Sequence, residues 1–400
     1  MITRTRKLIL PHQLEKLAWW SGTSSCNGVR RCRCRLHSGL HGASSSYNSS
    51  NCRKPEIVTE NRRNYFRDGD AGAVDSDIFC VRDKVREAVA EGRPVCALES
   101  TIVAHGMPFP ENLQLAREVE QILEDNGVVP ATVAVKNGVC KVGLSEEELE
   151  DLARAGEEGR AQKCSTRDLP MILGAAATAA TGSSKQEDAT ETATLWGATT
   201  VASTMKLAHM AGIATFVTGG IGGVHRNGEI SMDVSSDLTE LGQTPVVVVS
   251  AGIKSILDIQ RTIEVLETNS VPTFGWQTDE FPAFFSPSSG ISCPARADTA
   301  EMIAHAYWAA RRLQLPQGML VGVPNNDSAG ANVEKAIQAA LAEAEKLNIR
   351  GRDVTPYILK TVAKKTGGDS LRSNMSLVRQ NARVGAKIAT AISNLRKDRN

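Results

Sequence analysis

Aromatic side chains make up only 4% of this 400-residue chain, while glycine and small apolar residues are plentiful. That balance suits an α/β core better than a β-sandwich. An excess of either charge is missing as well: 46 Lys and Arg meet 45 Asp and Glu, a net charge of +1. There is thus no case for a general nucleic-acid or membrane-surface binder. No uninterrupted apolar run approaches the roughly 18 residues of a membrane span, so a soluble protein with no membrane partner is expected. The 9 cysteines contain no CxxC pair, and Cys32 and Cys34 sit in a stretch too basic for a good zinc half-site. Free thiols in a reducing compartment are the expectation.

What is present falls into two unlike parts. Residues 1–55 hold ten Lys or Arg and one acid, Glu15, with serine runs such as SSSYNSS. Arg-rich, Ser-rich and acid-poor is the composition of a transit peptide, and ITRTRKLILPHQLEKLAWW makes an amphipathic start. The expectation is a targeting segment over 1–76, for the mitochondrion or another organelle. A peroxisomal nonapeptide read loosely from RKLILPHQL, or an untargeted cytoplasmic tail, are the alternatives. From Asp77 onward strands and helices alternate. ENLQLAREVEQILEDNG is an amphipathic helix stopped by Gly127. Asn137-Gly138 marks a hairpin turn, and Ser145 with Glu148 forms a capping box. The polar segment 181–196 is expected to be a surface insertion. The alternation predicts one domain, 77–400, with a three-layer α/β/α sandwich around a mixed central sheet.

In such sheets ligands bind beyond the carboxyl ends of strands. Several suspicious segments fall there. The pattern of VVVVSAGIKSILD places Lys254 where a buried strand is expected to turn into a helix. Its stem can simply pack while the ammonium reaches water, or burial and the helix end can keep it partly neutral as a nucleophile. Glu99, after the apolar VCAL, is either a strand-end glutamate facing water or a carboxyl with a raised pKa, fit for a general acid. TGGIGGVHR (218–226) lacks the GxGxxG spacing; its glycines permit either a tight turn or close approach of an anion to the backbone, with His225 and Arg226 alongside. In MDVSSDL, Asp233 and Asp237 suit a hard cation, and Asp233 or Ser235 equally suits a helix cap. Gly367-Gly368-Asp369-Ser370 ahead of a helix offers anion binding or ordinary capping, with Asn374 on the expected first turn.

Together these segments resemble the pseudouridine-5′-phosphate glycosidase family, also called indigoidine synthase A-like. The resemblance covers roughly residues 80 to 395. It rests on ALESTIVAHGMPFPENLQ (97–114), KCSTRDLP (163–170), GATTVASTM (197–205), FVTGGIGGVHR (216–226), MDVSSDL (232–238), VVSAGIKSILD (248–258), DEFPAFF (279–285) and TGGDSLRSN (366–374). The resemblance implies reversible hydrolysis of pseudouridine 5′-phosphate to uracil and ribose 5-phosphate, a divalent cation, usually Mn²⁺, and a homotrimer. It places the nucleophile at Lys254, the proton donor at Glu99 and the metal ligand at Asp233. Substrate contacts are implied at Lys163, Val201, Ser235, Ser236, Asp237 and Asn374, with His225 and Thr200 as phosphate neighbours. The 181–196 insertion and VPNNDSAG (323–330) depart from the family pattern.

The implied chemistry explains the residue types. A C–C glycosidic bond has no leaving-group oxygen to protonate, so the two-carboxylate glycosidase scheme is not sufficient. An amine that captures C1′ as an imine, paired with an acid that protonates uracil C5, meets the need. Two rivals remain at this stage: another Schiff-base enzyme, such as a sugar-phosphate aldolase, and an inactive sugar-phosphate sensor.

Overall fold

A computed structural model describes residues 77–180, 194–325, 330–349 and 354–397. The expected presequence 1–76 and residues 181–193 of the expected insertion lie outside these residues. Strand β1 (Phe79–Val81), helix α1 (Asp83–Ala90) and strand β2 (Val95–Leu98) open the domain. Helix α2 (Thr101–His105) and helix α3 (Glu111–Asp125) lead to the hairpin β3 (Val129–Lys136) and β4 (Val139–Val142). Asn137 and Gly138 turn that hairpin with φ of 49° and 81°, the left-handed pair that a tight two-residue turn requires. Helix α4 (Glu146–Glu157) starts on the predicted box: Ser145 Oγ accepts the Glu148 N–H, and the Glu148 carboxylate accepts the Ser145 N–H, both at 3.2 Å.

Next come β5 (Ala161–Cys164), α5 (Leu169–Ala180), β6 (Trp196–Thr199), α6 (Val201–Met210) and β7 (Thr215–Val217). A connecting region carries β8 (Val224–His225), α7 (Gly228–Ser231) and α8 (Ser236–Leu241). It leads to β9 (Val247–Ser250), β10 (Leu257–Asp258) and α9 (Ile259–Thr268). Strands β11 (Thr273–Trp276) and β12 (Ala295–Ala297), α10 (Ala300–Arg312) and β13 (Met319–Gly322) follow. Helices α11 (Gly330–Lys346), α12 (Val354–Lys365) and α13 (Asp369–Lys397) complete the described fold.

Eleven strands form one mixed sheet in the order β1-β4-β3-β2-β7-β9-β13-β11-β12, with β6 paired to β3 and β5 to β6. From β3 through β2 to β12 every neighbouring pair is parallel. Antiparallel pairing is confined to β3 with β4 and β6. The central strands VCAL, VVVS and MLVG are buried throughout, as parallel strands covered on both faces must be. Helix α13 packs on β2, β7 and β9 beside α3 and α10, while α6 packs on the sheet beside α8. The result is the expected α/β/α layering. Leu98 pairs with Val217, and Val217 with Val249, so β2, β7 and β9 end level with one another. Whatever follows those strands meets at one rim.

Three local expectations need correction. No helix begins at Ser255: a turn and the short β10 follow Lys254, and α9 starts only at Ile259, capped by Asp258. Three glycine-loop residues pairing with this stretch (Val224 with Asp258, His225 with Leu257, Ile221 with Ile253) hold it extended. Trp196 is not part of a surface insertion; it is fully buried in β6 and donates its indole N–H to Asp151 at 2.9 Å. Residues 197–199 continue that strand, and α6 starts at Val201. Asn374 lies beyond the first turn of α13, which begins at Asp369.

Candidate active site

Glu99 leaves the end of β2 and is only 6% exposed. The Thr218 hydroxyl, at the end of β7, donates to its carboxyl oxygen. Burial pushes the Glu99 pKa above the usual carboxylate range; the nearby Lys254 ammonium and the Thr218 hydroxyl oppose that rise, and the charge of Asp237 adds to it. The net effect is a carboxyl group biased toward its acid form.

Lys254 follows β9 after a sharp bend. Gly252 makes the bend at φ +89°, where a Cβ would stand 2.1 Å from the Pro282 carbonyl oxygen, so no larger residue fits. The Lys254 backbone is fixed on both sides: its N–H donates to Ile221 O at 3.1 Å and its carbonyl accepts from Leu257 at 2.9 Å. The side chain is half-buried and lines the same cavity as Glu99.

The glycine-rich loop after β7 is held by Asp237. One oxygen of that buried carboxylate accepts the Gly222 N–H at 2.8 Å, and the other accepts the Ala202 N–H, at the start of α6, at 3.0 Å. Ser235 caps α8 by accepting the Asp237 N–H at 3.3 Å. The capping reading of MDVSSDL therefore holds for Ser235, while Asp233 lies free of the helix end. Asp233 O accepts the His225 N–H at 3.0 Å, and the Asp233 carboxylate stands 3.9 Å from His225 Nδ1. Burial, aided by the Lys163 charge and opposed by Asp233, lowers the His225 pKa, which leaves the ring mostly neutral at pH 7.

A cavity of about 280 Å³ joins these groups. Glu99, Lys254, His225, Asp233 and Asp237 line it together with Ser235 and Ser236. So do Lys163 at the end of β5 and Thr200 and Val201 at the start of α6. Every predicted site residue is thus gathered at one rim except Asn374. That side chain is buried on α13, facing Gly219, with an Oδ1 that has no hydrogen-bond partner. Arg226 also departs: it lines a neighbouring groove and donates to the Ser255 carbonyl at 3.3 Å.

Three lining residues, Ser165, Arg167 and Asp168, and one residue behind the wall, Thr218, were not singled out from the sequence. Ser165 binds the Ser236 hydroxyl at 2.8 Å, and Asp168 accepts the Ser165 N–H at 2.9 Å as part of a second capping box. The spacing Ser165-x-x-Asp168 was a usable signal. Exposed Arg167 adds a cation to the wall. Thr218 carried no such signal, since its partner lies 119 residues away.

Among the described residues no group of three or more His, Cys, Asp and Glu side chains could enclose a metal ion. The donor set at Asp233 is a single carboxylate in the cavity wall, 38% exposed at its side chain. It fits a hydrated Mg²⁺ or Mn²⁺ completed by water and substrate oxygens, not a closed protein cage.

Known proteins resemble this chain over the same region. The family described as "Indigoidine synthase A like protein" matches residues 84–391. A protein of Arabidopsis thaliana named pseudouridine-5′-phosphate glycosidase is 47% identical over 318 residues, 79% of this chain and 90% of the relative. One of the same name from Deinococcus radiodurans is also 47% identical over 318 residues, covering 79% and 95%. Among solved structures, the prealnumycin C-glycosynthase AlnA in complex with ribulose 5-phosphate superposes with a TM-score of 0.70 at 34% identity, over 81% of this chain and 100% of its own. An indigoidine synthase A-like protein of Thermotoga maritima gives a TM-score of 0.67 at 33% identity, covering 79% and 97%. With the matched span taking in Glu99, Asp233 and Lys254 alike, the chain belongs to the indigoidine synthase A-like family.

Proposed function

We propose that this chain is a pseudouridine-5′-phosphate glycosidase, which reversibly hydrolyses the C–C glycosidic bond of its substrate to uracil and D-ribose 5-phosphate. The observation that carries the reading is the sharing of one cavity by the Lys254 amine and a buried Glu99 biased toward its acid form. The names of the relatives and the ribulose 5-phosphate held by the C-glycosynthase AlnA support it.

The residues divide the work by chemistry. Lys163, the hydroxyls of Ser165 and Thr200, and the positive end of α6 bind the phosphate. Lys254 Nζ, as the free amine, attacks C1′ as the C1′–O4′ bond breaks and O4′ takes a proton from the attacking nitrogen; the nitrogen lone pair then closes to a protonated imine. The C1′–C5 bonding pair stays with the uracil, and C5 takes the Glu99 proton. General acid catalysis of this kind contributes roughly 10²–10⁴-fold. Water then adds to the imine carbon, returning the amine and releasing ribose 5-phosphate, and the proton this step frees restores the Glu99 acid. Asp237 does not react; it holds the α6 end and the glycine loop in register. Asp233 would hold the divalent cation, which when bound supplies positive charge that orients the phosphorylated substrate.

A homotrimer belongs to the same proposal and is supported by α5, an apolar helix without a charged residue that leaves Met171 60% exposed. Organelle import through residues 1–76 is supported by their composition alone. The decisive experiment is borohydride reduction in the presence of ribose 5-phosphate, followed by peptide mass spectrometry. A reduced sugar on Lys254 is expected; its absence, or failure to release uracil from pseudouridine 5′-phosphate, sinks the reading and returns the sugar-phosphate rivals to contention.

A further inference from the structure

Helix α13 packs across β2, β7 and β9, and it carries a fully buried asparagine where β7 gives way to the glycine-rich loop. The Asn381 amide nitrogen donates to Thr218 O at 2.8 Å and to Gly219 O at 3.3 Å. β7 ends at Val217, so these are the first two carbonyls past the strand. Asn381 Oδ1, by contrast, has no hydrogen-bond partner. A buried acceptor left unpaired is costly, so the amide adds little to the stability of α13. Its effect lies with the two carbonyls it fixes.

Thr218 is clamped on both sides. Its N–H donates to Val249 O in β9 at 3.0 Å, its carbonyl accepts from Asn381, and its hydroxyl donates to Glu99. A β-branched side chain has few χ1 choices, so a fixed Thr218 backbone fixes where the hydroxyl points. The helix comes near enough through Gly385, one turn beyond Asn381. A Cβ on Gly385 would overlap the Val217 side chain, so α13 meets β7 at a distance that only glycine permits. Glycine is a poor helix former, yet it stands here inside a helix of 29 residues.

We propose that Asn381 is a positioning residue for the proton donor: it holds Thr218 so that the threonine hydroxyl engages Glu99, and Gly385 sets the approach that makes this possible. The assignment rests on the reading of Glu99 as the acid. Asn381 does not line the substrate cavity, so it acts through Thr218. The charged groups that bear on Glu99 come from other elements: Lys254 after β9, Asp237 on α8 and Lys163 on β5.

The test is the pH profile of kcat/KM for uracil release in Asn381→Leu, Gly385→Ala and Thr218→Val, with each of the first two also combined with the third. Leucine keeps the forked shape of asparagine without its donor. Once Thr218 is unclamped, the Glu99 carboxylate loses a hydrogen bond and the acid form persists to higher pH. Asn381→Leu and Gly385→Ala should each move the alkaline fall upward by about one pH unit, the direction expected of Thr218→Val. In the Thr218→Val background neither should move it further. A general loosening of the fold would lower kcat/KM at every pH and leave the fall in place. That result, or a shift that adds to the one from Thr218→Val, overturns the assignment. If Asn381→Leu does not fold, Gly385→Ala alone and with Thr218→Val decides the matter. A parent enzyme that releases no uracil, or shows no alkaline fall, removes instead the acid role of Glu99 on which the assignment rests.

Discussion

Gly222 donates its backbone N–H to the Asp237 carboxylate at 2.8 Å, and the contact is so close that nothing larger than glycine fits. A Cβ on Gly222 would stand 2.3 Å from Ser235 Oγ and 2.7 Å from Asp237 Oδ2. Gly222→Ala is therefore expected to push Asp237 off its two N–H donors and widen the cavity between α6 and the glycine loop. Overpacking of this kind costs roughly 1–3 kcal/mol, so the variant should still fold. Steady-state uracil release should fall at least tenfold, by analogy with other losses of site preorganisation. Activity at the parent's level would show that Asp237 holds nothing.

How much of this was legible beforehand follows from the range of each interaction. The hairpin at Asn137-Gly138 and the Ser145–Glu148 box are settled within four residues, and both stand where the sequence placed them. The buried aliphatic strands also read correctly, because parallel strands covered on both faces need no alternation. Long-range pairings did not read. Nothing near Ser255 announces that Val224 and His225 will pair with Asp258 and Leu257 and replace the expected helix start. The same holds for Glu99 with Thr218, and for Trp196, whose bond to Asp151 45 residues away nothing in the adjoining polar segment signals.

The lysine supplies the sharpest single substitution. Lys254→Ala removes the only nucleophile in the scheme and should abolish turnover by several orders of magnitude, on the scale of other covalent catalysts. Substrate binding should survive, because Lys163, Thr200 and the start of α6 are separate elements. Isothermal titration with ribose 5-phosphate and a uracil-release assay check the two halves. Loss of binding in step with turnover would assign Lys254 to recognition instead.

Glu99 predicts a pH dependence whose sign can be worked out. Its pKa is raised chiefly by burial, and only the protonated form can deliver a proton, so turnover should fall as pH rises through that raised value. Thr218 stabilises the carboxylate by a hydrogen bond, which lowers the pKa. Thr218→Val should then move the alkaline fall in kcat/KM to higher pH. Asp237 works the other way through its charge, so Asp237→Asn should move it to lower pH. Measured profiles that shift in the opposite directions would remove Glu99 as the acid.

Asp233 tests the cation. If one carboxylate in a solvent-open wall is the sole protein ligand, Asp233→Asn should demand far more Mn²⁺ for half-maximal activity, by about tenfold to a hundredfold, the range seen when metal sites lose support. The His225 ring beside it carries no negative charge in either protonation state and cannot replace the lost carboxylate. Chelator-treated enzyme with and without added Mn²⁺ gives the comparison. An unchanged Mn²⁺ requirement would place the cation elsewhere.

Helix α5 extends the reading from site to assembly. Its sequence LPMILGAAATAA has no charge, yet Met171 is 60% exposed in the single chain and Ala175 and Ala179 lie open beside it. Apolar surface of this kind is costly to leave in water and is the usual mark of a covered face. The helix also begins where Ser165, Arg167 and Asp168 line the substrate cavity, so covering it would brace that wall. Met171→Lys should place an ammonium in the subunit contact, where burial without a partner is strongly unfavourable. Light scattering should then shift from about three copies of the 42.9 kDa chain, the number proposed above, toward one. Dissociation with weakened substrate affinity would tie the cavity wall to the contact. A variant that stays assembled like the parent would show that α5 faces solvent.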